Sequence, residues 1–344
     1  MSTFSVPIIE VGKIGKHPNA DLLSITHLGH YPIIIQTGSF KEGDSAIYIP
    51  EEALLPDVPM FQFLWTKKLP DGTIKVEQNP PERHRTIWAR KLRGIFSMGL
   101  LIPVPDHLKH LPIGTDIQKE LGIEKYEKPE VSCLGGDNDP TPEWFLKYTE
   151  IEHLRNYNSL LTLGEEVICT EKIHGTNSRY CCRENHLYIG LHNNTKKNDG
   201  ETDWNVAARK LNLEERLKGY PGLIFFGEVY GRVQKGFDYG IRRGDCDFIL
   251  FDIFSLDNRK YLDYPEYVEV ANKVGLKMVP ILYQGPWLGI EQHEAMAEGA
   301  NVLSGQHIRE GFVVRPVQER WHPEVGRVIL KLVGQEYLLT KHKR

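Results

Sequence analysis

The sequence predicts two folded domains: a small β-barrel or sandwich over residues 1–105, then an α+β domain with antiparallel sheets over residues 143–344. Three observations support this. First, 344 residues are too many for one ordinary core, at roughly 100–200 residues per domain. Second, the first hundred residues are short runs dense in Ile, Val and Tyr, split by polar turns. Third, beyond residue 143 the strand-like runs lie far apart with helical segments between them, which suggests mixed α+β architecture.

In chain order, VPIIEVGKI (6–14), YPIIIQTG (31–38) and SAIYIP (45–50) read as strands, and HPNAD (17–21) and KEGDS (41–45) as the turns between them. KLRGIF (91–96) and SMGLLIPV (97–104) complete the front domain. Residues 106–142 are expected to hold one short helix within Asp106–Glu120 and then a polar, Pro- and Gly-rich linker. Glu143–Arg155 reads as an amphipathic helix. VICTEKI (167–173), LIFFGEVYG (223–231), FILFDIF (248–254), GFVVRP (311–316) and RVILKLV (327–333) read as strands. Asp203–Leu217, Pro265–Val274 and Glu291–Glu298 read as helices.

Composition excludes several classes. The net charge of −4 argues against attraction of the whole molecule to nucleic acid, so any such site must be a local patch. Five cysteines (Cys133, Cys169, Cys181, Cys182 and Cys246) form no CxxC pair, so neither a disulfide framework nor a zinc site is expected. Reduced thiols, a start without a secretory pattern, and no run of ~18 apolar residues predict a cytoplasmic protein without a membrane segment.

The chemistry is sought first at Lys172. A lysine ending a buried strand loses solvation, which disfavours its ammonium form and makes a neutral, nucleophilic amine accessible. Gly175 permits close approach of backbone to a bound group. Alone, such a lysine is more often a solvated surface residue. Other runs follow in a fixed order, however. FFGEVYG carries Glu228, CDFILFDIF carries Phe248 with Asp252 four residues on, REGFVVRP carries Glu310, and RVILKLVG carries Lys331.

The ordered set EKIHGTN, FFGE, DFILFDI, EGFVV and ILKLV resembles motifs I, III, IIIa, IV and V of the covalent nucleotidyltransferases. That superfamily contains ATP-dependent DNA ligases, RNA ligases and mRNA capping enzymes. Its usual first motif is KxDG. The variant Lys172–Ile173–His174–Gly175–Thr176–Asn177 is similar to the nick-sealing RNA ligases. The resemblance implies an antiparallel-sheet adenylyltransferase domain and an ATP-dependent RNA ligase. Such an enzyme joins 3′-hydroxyl and 5′-phosphate ends through lysyl-AMP and RNA-adenylate, in RNA repair. It makes Lys172 the nucleophile, and Lys331 a cation beside the α-phosphate. His174 would steer a phosphate or the leaving group. Glu310 and Glu228 would hold Mg²⁺ or Mn²⁺, with Glu228 also suited to a ribose hydroxyl. Glu171 and Asn177 fall in the AMP site, Glu171 facing the adenine amino group. Phe248 would stack on adenine, with Phe251 as the alternative.

Two departures from the pattern stand out. Motif V often has two lysines, but here the earlier position is Ile329, with Arg327 as a possible replacement charge. The arginine usual about twenty residues after motif I is also missing. The corresponding stretch, YIGLHNNTKK, offers His192, Lys196 and Lys197.

The front domain is read as OB-like. KHPNADLLSI (16–25) is similar to the opening of OB-type RNA-binding modules, and an N-terminal OB-like domain resembles one branch of nick-sealing ligases. Basic residues Lys67, Lys68, Lys75, Arg83, Arg85, Arg90, Lys91 and Arg93 lie near Trp65 and Trp88 and suit a nucleic-acid backbone. The expected partner is nicked or broken RNA in a duplex, bound by a monomer. Two other readings stay open on sequence: a capping-type guanylyltransferase, and a non-enzymatic OB-type RNA-binding protein with a decayed transferase domain.

Overall fold

The computed structural model describes residues 4–69, 71–126, 138–231 and 236–341. Cys133 and part of the expected linker lie outside them. The chain divides into two compact units, Met1–Pro129 with Leu338–Arg344, and Glu130–Tyr337. Among the described residues no helix is long and apolar enough to cross a membrane.

The first unit is built from short antiparallel strands. β1 (Ile8–Glu10), β5 (Ser45–Ile49) and β8 (Leu100–Pro103) form one sheet with β5 in the middle. β2 (Gly15–Lys16), β3 (Leu23–Leu28) and β4 (Tyr31–Gln36) form another. β6 (Arg90–Leu92) and β7 (Ile95–Ser97) make a hairpin. Alternation along β5 sorts its side chains onto two faces. Ala46 and Tyr48 pack with Val11, Ile33, Ile35 and Leu101, while Ile47 and Ile49 pack with Phe61, Trp65 and Ile102.

That second core corrects two expectations. Trp65 belongs to it and is buried, so its ring is not available for stacking on a base. Residues 106–126, linker-like in composition, are packed into the unit: Leu108, Ile117 and Ile123 are buried there. Only Asp106–Leu108 is helical, as one 3₁₀ turn. Apolar residues at three points along a turn-rich chain suffice to bury it without regular structure. Trp88 is half-buried, its ring edge-on to Tyr126 at 5.4 Å.

The second unit holds two larger sheets. In chain order its strands are β9 (Asn138–Asp139), β10 (Glu152–His153), β11 (Glu166–Glu171), β12 (Thr176–Arg183), β13 (His186–Gly190) and β14 (Thr195–Lys196). They continue as β15 (Leu223–Gly231), β16 (Cys246–Ser255), β17 (Lys260–Tyr261), β18 (Ile281–Pro286), β19 (Gly311–Pro316) and β20 (Leu330–Val333). The larger sheet runs β9–β14–β13–β12–β15–β16–β17, and the smaller β10–β20–β19–β11–β18. Helices α1 (Asp203–Lys210), α2 (Leu213–Leu217) and α3 (Tyr264–Val274) contribute Trp204, Ala207, Leu213, Leu217, Tyr267 and Ala271 to a core with Tyr180, Phe225, Phe248 and Leu250 of the larger sheet. Val167, Cys169, Phe312, Val314, Leu330 and Leu332 of the smaller sheet pack with Trp287 and Ile290.

Glu143–Arg155 is not the expected helix. Only Leu154–Tyr157 is helical; before it the chain turns at 143–145, runs without regular structure over 146–151 and forms the short strand Glu152–His153. Aromatics at 144, 145 and 148 drive this: Phe145 and Tyr148 join a core with Phe226 and Ile329 rather than forming one face of a helix.

One irregularity in β16 sets the face of the site. Phe226 pairs with Asp252 but Gly227 pairs with Leu250, so Phe251 is an extra residue, a β-bulge. Strict alternation would put Asp252 on the same face as Phe248 and Leu250. The bulge turns it to the opposite face. Beside it, a Cβ on Gly227 would lie 2.2 Å from the Phe248 ring and 2.3 Å from the Ile249 carbonyl oxygen. Gly227→Ala is therefore expected to lower stability by about 1–3 kcal/mol in equilibrium urea unfolding. Gly219→Ala, where a Cβ meets nothing within 4 Å, should leave stability unchanged or slightly raised.

Candidate active site

A cavity of about 330 Å³ in the second unit is lined by residues from both sheets. The strand period explains which. On β11 the outward-packed Val167 and Cys169 alternate with Ile168 and Thr170, and Lys172 continues the second set one step past the strand end. On β19 Phe312 and Val314 pack away while Val313 and Arg315 face the cavity; on β20 Leu330 and Leu332 pack away while Lys331 faces it. Cross-strand pairing sets Thr170 opposite Val313, and Val313 opposite Lys331. From the larger sheet, Asn177 and Glu228 are direct partners on β12 and β15, and both line the cavity.

Lys172 is only partly exposed. Its Nζ lies 2.7 Å from Glu310 Oε1, and its backbone N–H donates to the Gly311 carbonyl at 3.0 Å. Glu310 is buried. Burial would raise its carboxyl, but the Lys172 ammonium and then His174 outweigh that and hold it at about 2. His174 is buried too. Its Nδ1 stands 3.2 Å from Glu310 Oε2 and 2.7 Å from the Tyr337 hydroxyl, and its backbone N–H donates to the Tyr239 hydroxyl at 2.7 Å. His174 thus braces Glu310, and through it Lys172, from outside the cavity lining. Gly175 is required here: a Cβ would lie 2.3 Å from the Val229 carbonyl oxygen and 2.9 Å from Glu228 Cγ.

Glu228 has the opposite character to Glu310. Burial pushes its carboxyl up to about 8, Glu310 adds to that, and Lys172 opposes it. Glu171 is also raised, by burial, against a 2.9 Å hydrogen bond accepted from the Val302 N–H and the Arg309 guanidinium at 3.8 Å. Among the described residues its Oε1 has no hydrogen-bond partner, nor has Asn177 Oδ1.

Of the residues singled out from sequence, Glu171, Lys172, Asn177, Glu228 and Lys331 line the cavity, with Glu310 and His174 immediately behind Lys172. Phe248 is elsewhere: it is buried edge-on to Tyr180 at 5.0 Å, in the core under the helices. The bulge residue Phe251 forms the cavity wall instead. Arg327 does not face the cavity. Its guanidinium donates to Asp252 and Glu319 at 2.5–2.6 Å and lies 3.8 Å over the Tyr261 ring. His192 lines the cavity, on a turn held by Arg179, which donates to the Leu191 and His192 carbonyls. Lys196 is buried on Asn138 Oδ1 at 2.7 Å and is no solvated loop residue.

Two features escaped the sequence reading. Arg315 lines the cavity and is tied to Asp252 Oδ1 at 3.1 Å and Glu319 Oε1 at 2.7 Å. Its signal lay within GFVVRP, two positions after Val313. The segment 148–151 forms another wall, masked by helix-like spacing. Tyr148 donates to Asp252 Oδ2 at 2.7 Å, fixing that wall to the same carboxylate.

Comparison with known proteins follows this geometry. An RNA ligase family model matches residues 165–333, and an OB-fold domain model matches residues 6–104. No curated protein sequence matches the chain. Among solved structures, a lysine-to-alanine mutant of Naegleria gruberi RNA ligase with ATP and Mn is similar at 24% identity and a TM-score of 0.79, over 99% of this chain and 100% of that one. The same ligase with PPi is similar at 25% identity and 0.77, over 98% and 99%. A lysine-to-methionine mutant with AMP and Mn is similar at 24% and 0.78, over 98% and 99%. At this identity the solved structures establish the fold, an OB-fold unit followed by an antiparallel nucleotidyltransferase unit.

The carboxyl of Glu228 gives a pH test. The folded state holds this proton up to about 8, whereas an unfolded glutamate releases it near 4.5, so wild-type stability falls as pH rises through that interval. Glu228→Gln removes the penalty. In metal-free protein its stability relative to wild type should increase from pH 4.5 to 8, read by urea unfolding at each pH; a pH-independent difference would refute the assignment. Residues 165–333 match the RNA ligase family model and residues 6–104 an OB-fold domain model.

Proposed function

We propose that this RNA ligase consumes ATP at the cavity and seals nicks in duplex RNA through a Lys172–AMP intermediate, as a monomer acting in RNA repair. The observation that carries the reading is Lys172 reaching a cavity of about 330 Å³ that also holds Lys331, Glu228 and Phe251, with Glu310 at 2.7 Å from its Nζ. A lysine meeting a carboxylate alone is a common ion pair. A lysine meeting it at the mouth of a cavity with a second cation and an aromatic wall suits nucleotidyl transfer.

The chain's own groups account for each step. Lys172 loses a proton, and its Nζ attacks the α-phosphorus of ATP; a P–N bond forms and pyrophosphate leaves. A 5′-phosphate oxygen of the RNA then attacks the same phosphorus, the P–N bond breaks, and Lys172 regains its proton. Finally the 3′-hydroxyl attacks the activated 5′-phosphate and AMP leaves. Such displacements depend on positioning and on stabilising charge at the phosphoryl oxygens. Lys331 supplies fixed positive charge on the cavity wall. In the metal-free site the protonated Glu228 carboxyl can donate a hydrogen bond to a ribose hydroxyl, and a bound divalent metal would favour its ionised form instead. Glu171 Oε1 is an acceptor suited to the adenine amino group, and Phe251 offers a face to the base. His174 acts through Glu310 as a positioning residue.

A divalent metal fits the donor set. Glu310, Glu228 and the Asn177 Oδ1 that has no hydrogen-bond partner among the described residues are hard oxygen donors. Among the described residues no group of three or more His, Cys, Asp or Glu could enclose an ion. Glu310 and Glu228 would hold Mg²⁺ or Mn²⁺. When bound, it would supply positive charge against the phosphates.

The test is a pulse–chase. Protein labelled with α-³²P-ATP and metal should carry a covalent label, and unlabelled nicked RNA duplex should discharge it into RNA-adenylate and then joined product. Labelling by GTP alone would favour a guanylyltransferase, and labelling by neither nucleotide a decayed domain. Phe251→Ala should weaken ATP use by about 5- to 150-fold, the equivalent of the ~1–3 kcal/mol of one stacked base, while the fold stays intact. Phe248→Ala should instead lower stability by about 3–5 kcal/mol.

A further inference from the structure

The HPNAD loop of the first unit takes no part in the nucleotide chemistry, yet it is built around a buried residue. His17 is fully buried. Its Nδ1 accepts the Asn19 backbone N–H at 3.0 Å, so Nδ1 carries no proton and Nε2–H donates to the Leu92 carbonyl at 3.2 Å. Asn19 adds a second tie, donating from its side-chain amide to the Arg93 carbonyl at 3.0 Å. Both ties end on the turn of the β6–β7 hairpin. From the other side the hairpin is fixed to β4: the Ile34 N–H donates to Ser97 Oγ at 3.0 Å and the Met98 N–H to the Pro32 carbonyl at 2.9 Å.

The braced hairpin presents cations. Arg90, Lys91 and Arg93 are exposed, and Lys13 and Lys16 are exposed on the approach to the loop. No acidic residue occurs between Arg83 and Pro105; on the loop side Asp21 lies 3.5 Å from Lys16, and Glu42 accepts the Ile14 N–H at 3.0 Å. In a chain of net charge −4 this is a local concentration of positive charge. The turn residues sharpen the point. Leu92 pairs with Ile95, and Arg93 and Gly94 have φ of 47° and 92°, the geometry of a two-residue turn that favours Asn–Gly. Arginine in the left-handed region is a strained choice for the turn itself. The neighbouring basic residues differ: Arg85 spends its guanidinium on the Leu55 and Pro80 carbonyls.

We propose that the β6–β7 hairpin, held rigid by His17 and Asn19, is a docking element for the phosphate backbone of the RNA duplex, with Arg90, Lys91 and Arg93 as its contacts. This rests on the RNA ligase reading. Guanidinium forks suit phosphate oxygens, and an all-cationic hairpin whose turn is pinned from behind presents them at fixed spacing. With no aromatic side chain exposed among 90–95, it suits backbone rather than bases.

The test uses the full chain and a fluorescent nicked RNA duplex, with anisotropy titrations at several salt concentrations. The Arg90→Gln, Lys91→Gln, Arg93→Gln triple variant should bind at least tenfold more weakly at low salt. The slope of log K against log[salt] should flatten by about 1 for each contact removed. Arg93→Asn separates docking from folding: Asn suits the turn, so the thermal midpoint should hold or rise while affinity and slope both fall. Unchanged affinity and slope in a folded triple variant would overturn the proposal. So would an equal loss when an acidic protein, but not RNA, is the ligand. Failure of the ligase reading itself shows separately, as absence of an AMP adduct on wild-type protein; the hairpin variants should form that adduct normally.

Discussion

The Asp252 carboxylate is the interaction on which the second unit depends. It is fully buried on the larger sheet and accepts from Arg315 on the smaller sheet, from Arg327, and from the Tyr148 hydroxyl. Glu319 completes the charge balance, bonded to both guanidiniums. The two arginines lower the carboxyl's pKa against the effect of its burial. Arg315 and Tyr148 come from different walls of the cavity, while Arg327 lies outside its lining. One ion cluster therefore fixes the spacing of the two sheets and the course of segment 148–151. Removing one member would leave buried charge uncompensated, the costly way to break such a network.

Much of this was legible in sequence, because the strands carrying the site alternate cleanly. Lys172, Glu228 and Lys331 each sit at an ordinary strand period, so their shared face follows from the pattern of apolar neighbours. Phe248 alternates onto the helix-covered face with Leu250, so motif order alone misplaced it, while the bulge at Phe251 reverses the face of Asp252. Nothing in FILFDIF marks the bulge, because every residue but one is apolar. Segment 143–151 misled for a related reason: aromatics at helical spacing were placed by tertiary packing. The buried Lys196 and the packed residues 106–126 likewise depend on contacts distant in sequence.

The site also departs from its family pattern in a way that the structure makes intelligible. Ile329, where a lysine is common, lines the cavity but is buried there against Phe145, Tyr148 and Phe226. A lysine there would lose solvation next to aromatic rings. Arg327 cannot take its place, being committed to Asp252 and Glu319. The cationic share therefore falls on Lys331 and Lys172, with Arg315 behind them already balanced by carboxylates. This arrangement gives greater weight to the Glu310 and Glu228 carboxylates as holders of a metal.

The proposed reaction begins at one nitrogen, Lys172 Nζ, and regenerates it. After incubation with ATP and a divalent metal, peptide mapping by mass spectrometry should find AMP on the peptide containing Lys172. The bond should be an acid-labile, alkali-stable phosphoramidate, and subsequent addition of nicked RNA should remove it. AMP found on another residue, or an adduct on Lys172 that RNA cannot discharge, would contradict the proposed reaction.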